Sequence, residues 1–580
     1  MASPPRLVVR QAAPAPWLVE RVGSATIARV LAARGIAEPE QLETALTGLL
    51  DPALLQGVDA AARLVADWIA RDGVIVVIGD YDADGATSTA LAVSGLRALG
   101  AKQVSFLVPD RVKDGYGLGE AVVARAIAMG AQLLITVDNG TSSVAGVARA
   151  RAVDVDVLVT DHHLPSTDLP SANVIVNPNI AGNPFPSKAL CGVGVMFYVL
   201  LALRGLLRSR GCFDAEHPAP NLADWLDLVA LGTVADVVPL DGNNRILVRQ
   251  GLLRMRAGRA RPGLQALIQI ARRQAPRLTA ADLAFAVAPR LNAAGRLADM
   301  TIGVRCLLAE TASEAQMLAQ ALDGINVERR ALSDAMTQQA LGLLEDALQT
   351  GPRAVCLFAE QWHEGVIGIV AGRVREVANL PAFAFAVAQD GETGQAVLKG
   401  SGRSVAGVNL RDVLYDIDRT HPGLLLRFGG HAMAAGVTLT LARLRPFQAA
   451  LDAAVRTLHG VAMPEQGIEF DGALDDDALS LQTAHLLEQY GPWGSGFPEA
   501  RFSDEFVVVH VRTLTQRFFR LVLRRGERLL EATCNSPAPA VGVRCGALYG
   551  LNINRYRDNE TLQLQIEQWW PLAQVQRTTA

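Results

Sequence analysis

Between Val74 and Val93 the chain reads VIVVIGDYDADGATSTALAV. Five apolar β-branched residues run straight into Asp80, Asp82 and Asp84, two apart, and an Ala/Thr/Leu-rich segment of helical character follows. A short unbroken run of Val and Ile reads as a strand buried on both faces, as in a parallel sheet covered by helices. Three carboxylates crowded at its carboxyl end repel one another and resist ionisation unless a cation neutralises them.

The same pattern recurs downstream. VSFLV (104–108), LLITV (133–137) and VDVLV (155–159) are each separated by helix-length segments, so βαβ units and an α/β fold with a parallel sheet are expected. Ligands in such sheets bind beyond the carboxyl ends of the strands, near a topological switch point. Polar residues collect there: GDYDADG, PDRVKDGYG, DNGTS and TDHH, with Asp236 added from GTVADVVPL. Asp80, Asp82, Asp84, Asp138, Asp161, His162, His163 and Asp236 are therefore expected at one rim. Taken singly, Asp80 or Asp161 reads equally well as a turn former or helix cap. Taken together they call for divalent metal, with all-oxygen ligation suiting magnesium and imidazole beside carboxylate favouring manganese. Neither GxxxxGK[ST] nor a GxGxxG after the first strand is present, which disfavours a P-loop nucleotidase or a dinucleotide dehydrogenase. Metal-assisted phosphoester hydrolysis needs neither motif.

At 580 residues, half of them apolar and about a fifth charged, the chain calls for several well-packed domains. A net charge of −4 gives no global pull toward nucleic acid, so any such binding rests on local basic surface. The six scattered cysteines include no CxxC, which points to a reducing compartment. The stretch MASPPRLVVRQAAPAPW lacks the apolar core of a signal peptide, and the apolar run Ala189 to Leu203 is too short to span a bilayer, so no membrane and a cytoplasmic location are expected. The domains read as an N-terminal extension (1–50), a parallel-sheet domain (51–250), a helical connector (251–350) with one long helix over Ala312 to Leu348, a second α/β domain (351–462), and a small β-barrel (463–580).

DYDADG, VDNG, TDHH and GTVADVVPL, in that order and spacing, resemble the four motifs of the DHH phosphoesterase superfamily. PDRVKDGYG, PRLNAAGR, SGRS and FGGHAMAAG are similar to its branch of single-strand-specific 5′-to-3′ DNA exonucleases, and the likeness runs from about residue 40 to the end. That resemblance implies a DHH domain, a DHH-associated substrate-binding domain and an OB-like barrel. It implies metal ligation by Asp82, Asp84, Asp138, His162 and Asp236, with Asp138 bridging two Mn2+ or Mg2+ ions. Asp80 would join them, His163 would lie on the metal or the phosphate, and Asp161 would orient the histidines. Many relatives outside the branch carry a histidine where this chain has Ile78, which leaves one metal to be held less tightly or by Asp80.

The resemblance also implies a grip on the 5′ phosphate by Arg111, Ser401 and Arg403, with Gly429, Gly430, His431, Arg290, Asn292 and Arg296 facing the strand or active site. Read from the residues alone, Arg111 is a solvated loop charge, KGSGRS is a hairpin or a phosphate-cradling nest, His431 is structural, and PRLNAAGR is a capping turn. Tyr116 could stack on a base or be buried for packing. In the barrel, Arg517, Phe518, Phe519, Arg520, Arg524 and Arg525 interleave cations with aromatics, which suits a strand-tracking groove or an ordinary strand with solvated arginines. The implied activity is release of 5′-mononucleotides from single-stranded DNA in recombination and repair, by a monomer working with a helicase and a single-strand-binding protein. A small-substrate phosphatase and an inactive replication scaffold are the competing readings.

Overall fold

The computed structural model describes residues 5–111, 113–165, 168–390, 394–459, 467–515, 518–535, 537–557 and 559–572. Its first sheet has five parallel strands in the order Gln103–Leu107, Val74–Ile78, Leu133–Val137, Asp156–Thr160, Val174–Val176. Strand order reverses between Val74–Ile78 and Leu133–Val137, which opens the crevice of a doubly wound sheet at their carboxyl ends. The unbroken apolar runs follow from burial on both faces. Ile75, Val77, Leu133 and Ile135 join one core with the helices Val58–Ala70, Ala83–Ala98 and Gly192–Ser209. Val76, Ile78 and Leu134 point the other way, onto Glu120–Ala128 and Val144–Arg151.

The apolar run near residue 190 reads in the sequence as too short for a membrane. The helix it starts runs on from Gly192 to Ser209, and by length and composition alone it could cross one. It lies inside the protein instead, packed against Val58–Ala70 and Ala83–Ala98.

Helices fill the connector and end in Ala312–Leu348, 37 residues long and so about 55 Å at 1.5 Å per residue. Thr311 starts it by accepting the Glu314 amide with its side chain. Ala315, Leu318, Ala319 and Leu322 are buried in the first core, whereas Met336, Ala340 and Leu344 are buried in the core of the second unit. One helix with an apolar stripe at each end is thus a strut between two bodies. In the second unit, Val355–Phe358 runs parallel to Ala382–Gln389, and Ala396–Arg403, Ala434–Leu439 and Arg427–Gly430 continue antiparallel.

The C-terminal strands Phe502–Thr515, Phe518–Arg525, Arg528–Cys534, Asn559–Pro571 and Arg544–Tyr556 close into a barrel. The one parallel contact, Arg528–Cys534 with Asn559–Pro571, completes a five-stranded OB-type barrel. Residues between Leu7 and Arg34 tie into this end of the molecule. Leu7–Val9 pairs in parallel with Ile468–Phe470, and Arg34 forms a buried 2.8 Å ion pair with Asp471.

Candidate active site

Asp82 caps the helix Ala83–Ala98, its Oδ1 accepting the Gly85 amide at 2.9 Å. Asp84, in the first turn and buried, accepts the amides of Gly192 and Val193 at 2.7 and 2.9 Å. These amides open the helix Gly192–Ser209, whose amino end favours negative charge. Residue 192 has to be small, because a Cβ there would stand 2.5 Å from the Asp138 Cβ.

Asp138 follows the strand Leu133–Val137 with φ at 63°, a left-handed backbone that costs a non-glycine residue about 1 kcal/mol or more. Its neighbour holds it there. Asn139 Nδ2 donates to the carbonyls of Ile78, Gly79 and Val137, tying together the strand ends on both sides of the switch point. The Tyr116 hydroxyl donates to the Asp138 carbonyl at 3.1 Å.

Asp161 organises the histidines. Its Oδ1 accepts the amides of His162 and His163 and lies 2.8 Å from His163 Nδ1, while Oδ2 accepts the Thr141 amide. Burial alone would raise this carboxyl; the bond and charge of His163 and the Thr141 amide outweigh it and hold Asp161 at about 2. Burial would lower His163, but its bond to Asp161 and that residue's charge lift it to about 9. His162 goes the other way, pulled down to about 4 by burial and by the His163 charge. A neutral imidazole with a free lone pair is the form that ligates metal.

Three sets of side chains bring ligand atoms within 4.8 Å of one another: Asp80, Asp82 and Asp138; Asp84, His162 and Asp236; Asp138, His162 and His163. His162 Nε2 is 3.1 Å from Asp138 Oδ1 and 3.5 Å from Asp236 Oδ2. Among the described residues Asp80 Oδ1, Asp138 Oδ1 and His162 Nε2 are buried and make no well-aligned hydrogen bond, the last two facing each other at 3.1 Å, a costly state unless a cation takes their lone pairs. Burial, then mutual repulsion, raises the carboxyls of Asp80 and Asp138, and takes Asp84 to about 7 and Asp236 to about 9. The donor set therefore fits two divalent ions, with Asp138 common to two of the three groupings. Ile78 lies wholly inside the apolar core, and Asp80 fills out the carboxylate set beside it.

A cavity of about 550 Å³ separates the first and second units, with Tyr81, Arg111 and Arg296 on one wall and Gly368, Ser401 and Arg403 on the other. Arg403 donates to Ser401 Oγ at 3.1 Å and to the Gly402 carbonyl, and Arg296 donates to the Gly365 carbonyl. Burial and the charges of Arg111, Arg403 and Arg329 push Arg296 down to about 10. Such clustered guanidinium groups suit a phosphate.

The other expected contacts divide, with Tyr116 lining the same cavity. Arg290 does not face the cleft: it pairs with Asp323 of the long helix at 2.8 Å and donates to the Ala286 carbonyl, bracing the connector. Asn292 accepts the Ala83 amide at 2.8 Å and so fixes the aspartate loop. Tyr116 is neither free nor simply packed, since its ring is 42 % exposed while its hydroxyl also lies 3.0 Å from His163 Nδ1. Gly429, Gly430 and His431 stand exposed at the end of Arg427–Gly430. Burial and the charges of His163 and Arg411 lower the His431 imidazole. In the barrel, Arg517 lies outside the described residues, Phe518 is exposed, Phe519 packs on the core, and Arg520 pairs with Glu531 at 2.7 Å. Tyr81, Asn139, Gly192 and Val193 were not singled out from the sequence, although VDNG and the glycines of CGVGV were visible cues to tight backbone.

A carboxylate–histidine rim at the switch point of a doubly wound sheet, facing a second α/β unit across a basic cleft, defines a phosphoesterase of the DHH type. Residues 74–233 match the DHH family, N-terminal domain, residues 351–457 the DHHA1 domain and residues 470–568 the RecJ OB domain. Single-stranded-DNA-specific exonuclease RecJ of Dickeya dadantii is 47% identical over 559 residues, 94% of this chain and 96% of the relative. That of Escherichia coli is 45% identical over 94% of this chain and 95% of its own. The crystal structure of RecJ in complex with Mn2+ from Thermus thermophilus superposes with a TM-score of 0.81 at 30% identity, over 97% of this chain and 79% of that one. The Mg2+ complex gives 0.75 at 29% identity, over 98% and 79%. The chain belongs to the RecJ family.

Proposed function

We propose that this protein is a metal-dependent exonuclease that degrades single-stranded DNA from its 5′ end, releasing 5′-mononucleotides, in recombination and repair. The observation that carries this reading is the adjacency of two sites: a rim of unpartnered carboxylate and imidazole atoms, and a cavity lined by Arg111, Arg296, Ser401 and Arg403. Asp80, Asp82, Asp84, Asp138, His162 and Asp236 would hold two Mn2+ or Mg2+ ions, the metals named in the related RecJ structures. When bound, such ions polarise the phosphoryl oxygens and acidify water for attack. Burial and the His163 charge keep His162 neutral, while Asp161 keeps His163 protonated, so that the cation of His163 is offered to phosphate oxygen. The arginine cavity would seat the terminal phosphate and present the next phosphodiester to the rim, which is how positioning converts a binding site into an exonuclease.

The functional division would be a catalytic domain over 51–250, a connector over 251–350, a substrate-binding domain over 351–462 and a strand-binding barrel over 463–580. A cytoplasmic monomer supplied with unwound strand by a helicase and a single-strand-binding protein fits this activity. The test is digestion of a long single strand labelled at one end or the other, with Mn2+ or Mg2+. Early release of 5′ label as mononucleotide supports the reading, as does loss of several orders of magnitude in Asp138→Ala. Early release of 3′ label, or cleavage confined to dinucleotides, overturns it.

A further inference from the structure

One exposed cation of the cleft lies over the face of an aromatic ring. Arg111 is exposed, and among the described residues its recorded partner is the face of Tyr81, with the guanidinium 4.9 Å from the ring centroid. Arg403 and Arg296 share the cavity, and each feels the charge of Arg111. Three like charges favour expulsion of the least buried one, and a long side chain released to solvent regains rotamer freedom. Tyr81 opposes both tendencies. It stands between Asp80 and Asp82, so its backbone belongs to the carboxylate loop. Its carbonyl is pressed onto Gly295, where a Cβ would lie 1.6 Å away. Tyr116 meets its ring edge-on at 6.2 Å, and Tyr116 in turn meets His163 at 5.6 Å. A continuous row, Arg111–Tyr81–Tyr116–His163, therefore links the cleft cation to the histidine beside the metal rim.

We propose that Tyr81 is a positioning residue that seats Arg111 for recognition of the terminal phosphate, at a set distance from the rim; this rests on the cleft being the 5′-end clamp. The contact is made by the ring face, so Phe can replace Tyr, whereas an aliphatic side chain cannot. A partly desolvated cation–π contact is consistent with about a tenfold effect.

The test measures KM and kcat on 5′-phosphoryl and 5′-hydroxyl strands for wild type, Tyr81→Phe, Tyr81→Leu, Arg111→Ala and the Leu/Ala double variant. Tyr81→Met runs in parallel, so that a folding defect in one variant leaves the coupling readable. The expected result is about a tenfold rise in KM for the phosphorylated strand in Tyr81→Leu with kcat much less affected. Tyr81→Phe should keep the phosphate preference, and Tyr81→Leu should cost nothing further once Arg111 is Ala. Additive losses in the double variant, or equal losses on both strands, overturn the role of Tyr81 alone. A wild-type enzyme indifferent to the 5′ phosphate overturns the clamp itself and this inference with it.

Discussion

Asp84 and Asp236 carry pKa values of about 7 and about 9 because burial and neighbouring carboxylates oppose their ionisation. In the unfolded chain the same groups titrate near 3.9. Between these values the fold holds more protons than the unfolded chain, so stability falls as pH rises. His163, lifted to about 9 by Asp161 against burial, has the same sign: its contribution is present below about 6.5 and lost through 9. From pH 6.5 to 9, then, the chelator-treated protein should lose thermal stability steadily, and Mn2+ should flatten the slope. Calorimetric Tm values with and without metal check this; a flat metal-free profile would show that the carboxylates are not crowded. At this scale the clustering of acids and histidines was legible, since those at strand ends are local in sequence. Arg290 was not, because its partner Asp323 sits 33 positions on, upon a different helix. Nor was the anion cradle of Asp84, made by amides of residues 192 and 193.

The helix Gly192–Ser209 does two things, one apolar and one electrostatic. Its length buries against the sheet, and its first two amides hold Asp84. Gly192→Ala places a methyl 2.5 Å from the Asp138 Cβ and 2.7 Å from its Oδ1, so one of the two must move. The expected outcome is a fall in kcat of at least about a hundredfold, as expected for misplacing reacting groups by an ångström, with circular dichroism unchanged. Wild-type activity in this variant would mean that Asp138 tolerates displacement. The strand runs, the helix Ala312–Leu348 and the barrel were readable because each has a clear period or an unbroken apolar run. The role of an apolar helix's first residues is invisible to such patterns, since backbone amides carry no side-chain signal.

On the scale of the whole molecule, the strut fixes the second unit relative to the first, while the N-terminal residues fix the barrel. Arg34 and Asp471 are both about 1% exposed, and Arg34 also donates to the carbonyls of Pro498 and Glu499. Removing one member of a buried pair leaves the other uncompensated, at a cost of about 3–5 kcal/mol. Arg10, 3.4 Å from Asp471, retains part of the compensation, so Arg34→Ala should cost about 3 kcal/mol and lower the first calorimetric transition by several degrees. No change in that transition would show that the barrel does not depend on this tie. Pairing of Leu7–Val9 with Ile468–Phe470 joins segments some 460 residues apart, a contact that no local reading of the sequence reaches.

The rim acids stand or fall together on their need for cations, and titration of the metal-free protein with Mn2+ in a calorimeter measures that need. Two ions per chain are expected, with binding tightening as pH rises because metal displaces protons, and with uptake severely weakened in Asp138→Ala. Absence of Mn2+ uptake by the intact protein, or uptake unchanged in Asp138→Ala, would contradict the assignment of this rim as a metal centre.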